Sequence, residues 1–348
     1  MNRPPDRAEP LISVLMPVRN EQRHVRAALE SVLAQNVSLE VLVVDAMSTD
    51  ATRDVVESFG DPRIRILDNP RRVIPAALNL GLAQARGRFV ARVDGHMRIA
   101  PGHLAAGLAV LAADPQVAAV GGIRIAEASS PTGRAIATAL GSPFGVGNSV
   151  NHYATTAQDT DHASCGMYRV EVARGVGGWD EELLVNEDVD FDHRIVQAGY
   201  RIRFDPRMKA HWRVRESLPA FARQYRRYGR GKAGMVRKNG RGAVRARHLA
   251  APVLVGVLSA AAAAAASGRP RVATALVAPY VGAIGVATAR TLRDQRSAPR
   301  ARKLVLAAAF ATMHITWGIG FLEGYLLGRP PAAATSRDPR ATVNSATP

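Results

Sequence analysis

The chain of 348 residues is strongly basic: it carries 46 Lys and Arg against 29 Asp and Glu, which leaves a formal net charge of +17. Hydrophobic residues make up 47% of the chain, a share that excludes an intrinsically disordered protein, because such proteins lack the apolar residues to bury. The length predicts one domain of roughly 200 to 250 residues and a further segment. The single cysteine, Cys165, excludes an intramolecular disulfide; we interpret it as a packing residue and expect the bulk of the chain to face the cytosol.

The first 210 residues alternate predicted strands with predicted helices. The strands are short apolar runs that end in polar or acidic residues: LISVLMPV from Leu11, LEVLVVDA from Leu39, RIRILDN from Arg63 and GRFVARVDG from Gly87. Helical patterns follow the first three strands, and the third of these helices is expected at 74–85. Strand then helix, repeated, predicts an α/β fold with a mostly parallel sheet that binds ligands at the carboxyl ends of its strands. The standard dinucleotide and P-loop fingerprints are absent from the sequence after the first strand.

The positive charge is concentrated in one stretch near the middle of the chain. Residues 213–247 hold twelve Lys and Arg and the single acid Glu216, a local balance of +11. Nucleic acid could bind such a stretch, but it has few aromatic residues and adjoins apolar runs, so no nucleic-acid partner is expected. The predicted partner is an anionic membrane surface, to which each nearby Lys or Arg contributes about 1 kcal/mol of binding.

Three charge-free runs of 18 or 19 residues follow, at 249–267, 272–289 and 304–322. As helices they are about 27 to 28 Å long, close to the roughly 30 Å hydrocarbon core of a bilayer, and we predict three transmembrane helices. The alternative is a soluble bundle of alanine-rich helices, since the first run contains seven consecutive alanines.

The basic flanks of these runs predict the topology. By the positive-inside rule, the basic stretch and the segment 290–303 lie in the cytoplasm, which makes this a multi-pass inner-membrane protein whose first domain is cytoplasmic and whose tail is outside. The predicted organisation is a flexible N-terminus at 1–10, an α/β domain at 11–212, a basic interfacial segment at 213–248, membrane helices within 249–328 and a disordered tail at 329–348.

Acidic residues stand at two predicted strand ends. Asp45 closes the second strand, and Asp94 with His96 closes the fourth, in RVDGH. On an extended chain the side chains of Asp94 and His96 point to the same side, a placement that suits a divalent cation held against a diphosphate. The alternative is a turn at Asp94 and Gly95 that leaves His96 exposed.

A second acidic cluster lies at the start of a predicted helix. Glu187, Asp188, Asp190 and Asp192 fall within six residues. Acids at this position stabilise the helix dipole, so a purely structural role is one interpretation. The other is that one carboxylate acts as a general base towards a sugar hydroxyl.

Taken together, the motifs resemble a known family. In order and spacing, PVRNE, VVDAMSTD, ALNLGLAQARGRFVARVDGH, SCGMYR with VGGWDE, NEDVDF and QYRRYGRGK are similar to family 2 glycosyltransferases of the GT-A fold. RVDGH and QYRRYGRGK with C-terminal membrane helices resemble the succinoglycan glucosyltransferase type. The resemblance runs from about Ile12 to Lys232 and implies a Rossmann-like, mostly parallel sheet with flanking helices, followed by transmembrane helices.

The resemblance implies a nucleotide-sugar donor and residues that bind it. Pro17, Glu21 and Asp45 match positions that line the nucleotide pocket, and Arg71 or Arg72 offers a basic residue to the nucleotide or its phosphates. One departure is VVDAMSTD, where the usual second aspartate is alanine, so Asp45 is the only acid there.

A divalent metal, Mn²⁺ or Mg²⁺, is also implied. Asp94 and His96 match the first and third positions of the family's D-x-D motif, with histidine in place of the usual third aspartate. Imidazole is an acceptable ligand for Mn²⁺. His211 falls where GT-A enzymes often place a late histidine as a further metal ligand; a structural histidine near the membrane surface is the alternative.

The catalytic and acceptor-site residues are implied in the same way. Asp188 matches the family's catalytic aspartate, and Glu187 precedes it as an acceptor-site or orienting residue. In QYRRYGRGK, Gln224 and Arg227 fit the Q-x-x-R-W pattern of processive synthases, and Arg227 could neutralise the diphosphate. Tyr228 replaces the tryptophan of that pattern.

The predicted activity is a single inverting displacement. It moves a sugar from a nucleotide-sugar donor, which is UDP-glucose-like, to a lipid-linked glycan acceptor. Its predicted role is the synthesis of extracellular polysaccharide or cell-envelope glycan. Two alternatives stay open: a processive polysaccharide synthase, against which Tyr228 and the few membrane helices argue, and a non-catalytic membrane scaffold, against which Asp188 argues.

Overall fold

The computed structural model describes residues 10–240, 246–293 and 300–328. The predicted flexible N-terminus, except Pro10, and the predicted disordered tail lie outside these ranges.

Nine strands of the described residues form one sheet. They are β1 Ile12–Val18, β2 Leu39–Asp45, β3 Ile64–Asp68, β4 Phe89–Arg92, β5 Met97–Ile99, β6 Val117–Glu127, β7 Gln158–Thr160, β8 Met167–Arg169 and β9 Arg201–Arg213. The strand order is β3-β2-β1-β4-β8-β6-β9-β5, and β7 pairs with β9. The strands from β3 to β4 in this order are parallel, as the sequence predicted. The rest of the sheet is mixed, because β8 is antiparallel to both β4 and β6.

Eight helices flank this sheet and complete the α/β domain. They are α1 Val25–Leu33, α2 Thr52–Glu57, α3 Ile74–Gln84, α4 His103–Ala113, α5 Pro131–Leu140, α6 Pro143–Val146, α7 Val170–Gly175 and α8 Glu187–Gln197, and a 3₁₀ turn covers Val150–His152. Successive side chains of a strand face opposite sides of the sheet. Val14 and Met16 of β1 therefore enter one hydrophobic core, while Leu15 enters the other.

An aromatic cluster anchors α8 to the sheet. The ring of Phe191 lies 4.2 Å from that of Trp179 and 5.0 Å from that of Tyr168, between ring centroids. Asn186, directly before α8, adopts a left-handed conformation with φ 63°. This turn starts the helix so that its first acids face the carboxyl end of β4, where Arg92 meets Glu187.

Four long helices complete the described chain: α9 Leu218–Asn239, α10 Ala246–Ala266, α11 Pro270–Thr291 and α12 Arg300–Leu326. The first covers the middle of the basic stretch, and the other three fall on the predicted apolar runs. By length and composition, α10, α11 and α12 could each cross a membrane.

Glycines bring α9 and α12 into backbone contact. A Cβ added at Gly320 would collide with the carbonyl oxygen of Arg226, and one added at Gly229 would collide with that of Trp317. We expect Gly320→Ala to lower the free energy of unfolding by about 1 to 3 kcal/mol, the usual cost of overpacking. Thermal unfolding of the detergent-solubilised protein measures this loss.

The matched control for Gly320 is Gly285→Ala in α11, since a Cβ at Gly285 meets no atom within 4 Å. This control is expected to keep or slightly raise the melting temperature, because alanine favours the helix. Equal melting temperatures for the two variants would contradict the packing of α9 on α12.

Candidate active site

A cavity of about 1600 Å³ opens beside the end of β4 and the first turn of α8. Seven of the residues predicted from sequence line it: Glu21, Asp94, His96, Glu187, Asp188, Gln224 and Arg227. The other four, Pro17, Asp45, Arg72 and His211, are not part of its wall as far as the described residues define it.

Arg92 joins the two acidic motifs across this cavity. Its Nε donates to Asp94 Oδ1 at 2.8 Å, and its Nη1 donates to Glu187 Oε1 at 3.0 Å. Burial by itself would raise the pKa of Asp94, but the Arg92 guanidinium outweighs burial and holds that pKa below its ordinary value. Burial and the neighbouring Asp188 raise the pKa of Glu187. Glu187 is therefore held in an ion pair with Arg92, whereas Asp188 is the more exposed of these two neighbouring acids.

A histidine lies between two carboxylates of α8. His162 Nδ1 is 2.6 Å from Asp192 Oδ2, which also accepts from the backbone N–H of Ala163 at 2.8 Å. The other ring nitrogen, Nε2, is 3.8 Å from Asp188 Oδ2. The Asp192 side chain is fully buried, whereas that of Asp188 is 35% exposed. Asp192 thus fixes the imidazole, and the imidazole faces Asp188, the more exposed of the two carboxylates.

The charges of Asp192, His162 and Asp188 stabilise one another. Burial lowers the pKa of His162, but the hydrogen bond to Asp192 and the charge of Asp188 outweigh it and raise that pKa overall. Burial raises the pKa of Asp188, but His162 and Arg92 outweigh it and lower that pKa overall. Asp188 is therefore ionised near neutral pH, the state that a general base requires.

The segment from Asp94 to His96 is a turn, which corrects the extended geometry that the sequence predicted. Strand β4 ends at Arg92, and the backbone N–H of Met97 donates to the carbonyl of Asp94 at 2.9 Å. His96 Nδ1 lies 3.1 Å from Glu21 Oε1, and this hydrogen bond raises the pKa of His96. Asp94 and His96 still line the same cavity because the turn carries both side chains towards it.

His211 lies away from this site. It belongs to β9, and its Nδ1 is 3.0 Å from Glu127 Oε1, a carboxylate that Arg98 also binds. The next residue, Trp212, lines the cavity. Since side chains alternate along a strand, His211 faces the other side of the sheet from Trp212, and this placement does not bring His211, the predicted further metal ligand, to Asp94 and His96.

The remaining residues predicted to bind the nucleotide lie at the neighbouring carboxyl ends of the strands. Val18 at the end of β1 pairs with Asp45 at the end of β2. Asp45 is buried, and its Oδ1 accepts from the N–H and the hydroxyl of Ser48. Arg72 is exposed in the loop after β3 with φ 58°, and Arg71 is ion-paired with Glu181.

Arginines contribute positive charge to the cavity wall. The Arg124 guanidinium lies 4.2 Å from the centroid of the Trp212 ring, and its buried Nε has no hydrogen-bond partner among the described residues. On α9, Gln224 Nε2 donates to the Tyr228 hydroxyl at 3.1 Å, and Arg227 reaches the carbonyl of Leu184 at 3.5 Å. An anionic ligand in the cavity would meet this positive wall.

The far end of the cavity is formed by the apolar helices. Leu254 of α10, Tyr280 of α11 and Trp317 of α12 line it. His314 Nε2 lies 2.9 Å from the carbonyl of Phe144, and its Nδ1 lies 3.0 Å from the Tyr280 hydroxyl. Because a carbonyl only accepts, Nε2 carries the proton and Nδ1 accepts from the tyrosine. The cavity thus continues from the acids to the helices that are apolar enough to enter a membrane.

Sequence reasoning missed four residues of the site: Arg92, Arg124, His162 and Asp192. Arg92 stands inside RVDGH, and Asp192 belongs to the acidic cluster. Both therefore lie in recognised motifs, although neither residue was assigned a function from sequence. His162 and Arg124 are distant in sequence from the motifs that they contact, and no local pattern marks them. Cys165, predicted to pack, lies with its sulfur 3.8 Å from that of Met97, and burial raises its pKa.

A Rossmann-like sheet with an acid-turn-histidine segment after β4, facing an acidic helix start across one cavity, defines a GT-A glycosyltransferase. The chain belongs to glycosyl transferase family 2, whose family model matches residues 13–177. It is 31% identical over 234 residues to the succinoglycan biosynthesis protein ExoA of Rhizobium meliloti, an alignment that covers 63% of this chain and 68% of that protein. The resemblance inferred from the motifs is confirmed.

Two further proteins are similar. A dolichyl N-acetyl-alpha-D-glucosaminyl phosphate 3-beta-D-2,3-diacetamido-2,3-dideoxy-beta-D-glucuronosyltransferase of Methanococcus voltae is 26% identical over 239 residues, covering 65% of this chain and 74% of that one. The mannosyltransferase PcManGT of Pyrobaculum calidifontis, solved in complex with GDP-Man and Mn²⁺, shares the fold with a TM-score of 0.63 at 22% identity, covering 93% of this chain and 89% of that one.

Proposed function

We propose that this family 2 glycosyltransferase is a membrane-anchored, inverting enzyme that moves a sugar from a nucleotide sugar, UDP-glucose-like, to a lipid-linked glycan. The observation that carries the proposal is the single cavity that holds Asp188, Asp94 and His96 at one end and is lined by the apolar helices at the other. The similarity to a succinoglycan biosynthesis protein supports a role in extracellular polysaccharide or cell-envelope glycan synthesis.

Asp188 is the proposed general base. It takes the proton of the acceptor hydroxyl as that oxygen attacks the anomeric carbon, and the bond to the nucleoside diphosphate breaks with its electron pair leaving on the diphosphate. Glu187 is unsuited to this role because it is buried in its ion pair with Arg92. The leaving diphosphate gains negative charge, and preorganised cations such as Arg227 and Arg124 stabilise it.

Asp94 and His96 would hold the divalent metal, Mn²⁺ or Mg²⁺. No group of three or more His, Cys, Asp or Glu in the described part of the chain is arranged to hold a metal ion by itself. One carboxylate and one imidazole nevertheless fit an ion whose other ligands are water and substrate phosphates, the usual arrangement for Mg²⁺ at nucleotide sites. When bound, the metal supplies positive charge to the leaving diphosphate.

The nucleotide itself is proposed to lie across the ends of β1 and β2, beyond the part of the cavity that holds the acids. Pro17 and Asp45 border this edge, and Glu21 connects it to His96. Arg72, exposed after β3, would reach the base or phosphates. The sugar then points towards Asp188.

The acceptor is proposed to enter from the membrane. Arg213, Arg215 and Arg223 also line the cavity, where they suit an anionic phosphate or diphosphate group. The lipid chain would lie against the helices, with the catalytic domain on the cytoplasmic side of the inner membrane, as the basic flanks favour. Gln224 would contact the first sugar of the acceptor, and Glu187 would orient Arg92 behind it.

The test of this function is release of nucleoside diphosphate from a panel of nucleotide sugars by membranes that contain the protein. We expect one donor to be consumed faster when a lipid extract rich in polyprenyl-linked glycans is added, and its sugar to appear in the organic phase. Equal release with a water-soluble oligosaccharide as the only acceptor would contradict the lipid-linked acceptor.

His162 is proposed to keep Asp188 ionised and oriented. The protonated form of His162 is stabilised by the charges of Asp188, Asp192 and Asp161. His152 is a further titratable group beside it. Replacing His162 by glutamine removes a cation beside Asp188, so the pKa of that carboxyl rises and the acidic limb of the kcat/KM profile moves to higher pH. Activity at pH 6 is expected to fall more than activity at pH 8.

The control for His162→Gln is His103→Gln, a buried histidine on α4 that bonds to the carbonyl of Lys209 outside the cavity. A loss of stability alone lowers activity without moving the acidic limb, so this control is expected to keep the wild-type profile. An unchanged limb in His162→Gln would leave His162 a structural residue only.

A further inference from the structure

A short polar turn forms one part of the cavity wall. The 3₁₀ turn Val150–His152 contributes Asn151 and His152 to that wall. Its backbone is held by hydrogen bonds, among them one from the N–H of His152 to the carbonyl of Ser149 at 3.2 Å. The two side chains therefore reach the cavity from a backbone of defined shape.

His152 lies close to the charged groups around the proposed base. Its ring is half-buried, and the charges of Arg124 and His162 both act on it. The Nε2 of His162 is in turn 3.8 Å from Oδ2 of Asp188. His152 thus belongs to the same group of side chains as the carboxylate that takes the acceptor proton.

The ring of His152 is a neutral hydrogen-bonding group. Burial, together with the charges of Arg124 and His162, lowers its pKa to about 3, so the imidazole is uncharged near neutral pH. A neutral imidazole has one nitrogen that donates and one that accepts. Among the described residues, none forms a hydrogen bond with this ring. A sugar hydroxyl, which both donates and accepts, is a suitable partner for it.

Asn151 adds an amide to the same part of the wall. Its side chain is buried, with 4% exposed, and its Oδ1 accepts from the Ser149 hydroxyl at 2.8 Å. This hydrogen bond fixes the orientation of the amide. The Nδ2 group is therefore held in place as a donor for an oxygen atom of a ligand.

The turn lies on the half of the sheet away from the nucleotide. In strand order, β1 and β2, where the nucleotide is proposed to lie, are on one side of β4, whereas β6 is on the other side, beyond β8. The turn packs on β6, the strand that carries Arg124. In an inverting displacement the attacking oxygen approaches the sugar from the face opposite the leaving group. Polar groups on this half of the sheet are therefore placed to meet the acceptor.

We propose that Asn151 and His152 bind the acceptor sugar that carries the attacking hydroxyl. The proposal rests on the sugar transfer proposed above and adds the residues that orient the acceptor. The imidazole of His152 binds a neighbouring hydroxyl of that sugar, and Nδ2 of Asn151 donates to another of its oxygens. Neither residue takes the proton, which goes to Asp188.

The test is a comparison of the two substrates in kinetics of the full-length protein in membranes. His152→Phe keeps a ring but removes both nitrogens. We expect it to raise the half-saturating amount of the polyprenyl-linked glycan extract by about fivefold to tenfold, the effect of a lost hydrogen bond, with the KM of the donor unchanged. His152→Gln, which can still donate and accept, should recover part of this loss.

The matched control is Tyr153→Phe. Tyr153 is the next residue of the chain and is not part of the cavity wall as far as the described residues define it. Its loss of a hydroxyl should leave the half-saturating amount of the extract at the wild-type value. Melting temperatures identify a variant that does not fold; if His152→Phe is one, Asn151→Ala carries the same comparison.

Two outcomes would overturn the proposal. A raised KM of the donor with an unchanged half-saturating amount of extract would place these residues on the donor. Wild-type values for both substrates in the folded variants would leave the turn a structural element only. If the wild-type protein itself transfers no sugar to the extract, the proposed function fails, and that result is distinct from either of these.

Discussion

Asp188→Asn is expected to abolish sugar transfer while leaving nucleotide binding in place. Asparagine keeps the shape of the side chain but cannot take the acceptor proton, and loss of a general base costs about 10²- to 10⁴-fold in rate. The measurement is release of nucleoside diphosphate from the donor that the wild-type protein consumes, at saturating acceptor. Because the base acts on the acceptor hydroxyl in the transition state, the loss should fall on kcat rather than on the KM of the donor.

Glu182→Gln is the matched control for this substitution. Glu182 is an exposed acid in the segment that precedes α8, so its isosteric change alters the charge near the site without touching the cavity wall. Wild-type turnover by Glu182→Gln and none by Asp188→Asn would assign the effect to Asp188 itself. Undiminished turnover by Asp188→Asn would contradict both the base assignment and the role of His162.

Asp94→Asn is expected to have the second largest effect, on the metal. Loss of a ligand carboxylate should weaken Mn²⁺ binding in the presence of UDP by at least about tenfold, since even changes to groups behind the ligands cost that much. The charge of Arg92 is also left without its closest partner, which disfavours a second cation nearby. Mn²⁺ titration followed by electron paramagnetic resonance measures this binding without requiring turnover.

His211→Gln is the control for Asp94→Asn. The structure places His211 on the outer face of β9 against Glu127, so this variant should bind Mn²⁺ as the wild type does. If His211→Gln weakens binding as much as Asp94→Asn, the metal lies elsewhere than proposed. If neither does, Asp94 acts on the diphosphate through Arg92 rather than through a metal.

The sequence predicted the sheet and the position of the acids because both follow from local rules. Strands with β-branched residues alternate with helical patterns, and this alternation commits the chain to parallel strands whose carboxyl ends meet at one edge. Asp94 follows the carboxyl end of β4 for that reason, whereas Asp188 reaches the same cavity from the first turn of α8. The mixed second half of the sheet was not predicted, because β6, β8 and β9 are joined by long connections without a repeated pattern.

The partners of the acids could not be found in the same way. His162 meets Asp188 and Asp192 because β8 and α8 pack through Tyr168 and Phe191, a contact that depends on the tertiary structure. His211 shows the reverse: the family resemblance suggested a metal ligand, but the register of β9 turns it to the other face. A one-residue shift along a strand changes the face, and sequence spacing alone does not fix that register.

By itself, the sequence determined the family, the GT-A sheet, the acids of the site and three helices long and apolar enough for a membrane. The tertiary structure decided which of these residues act together and which surface of the apolar helices remains free. Hydropathy measures what a segment could bury, not what covers it. Helix α12 is covered by the α/β domain through Phe144, by α9 through Arg226 and Arg230, and by the other two apolar helices through Ala251 and Tyr280, and only the packed structure could reveal these contacts.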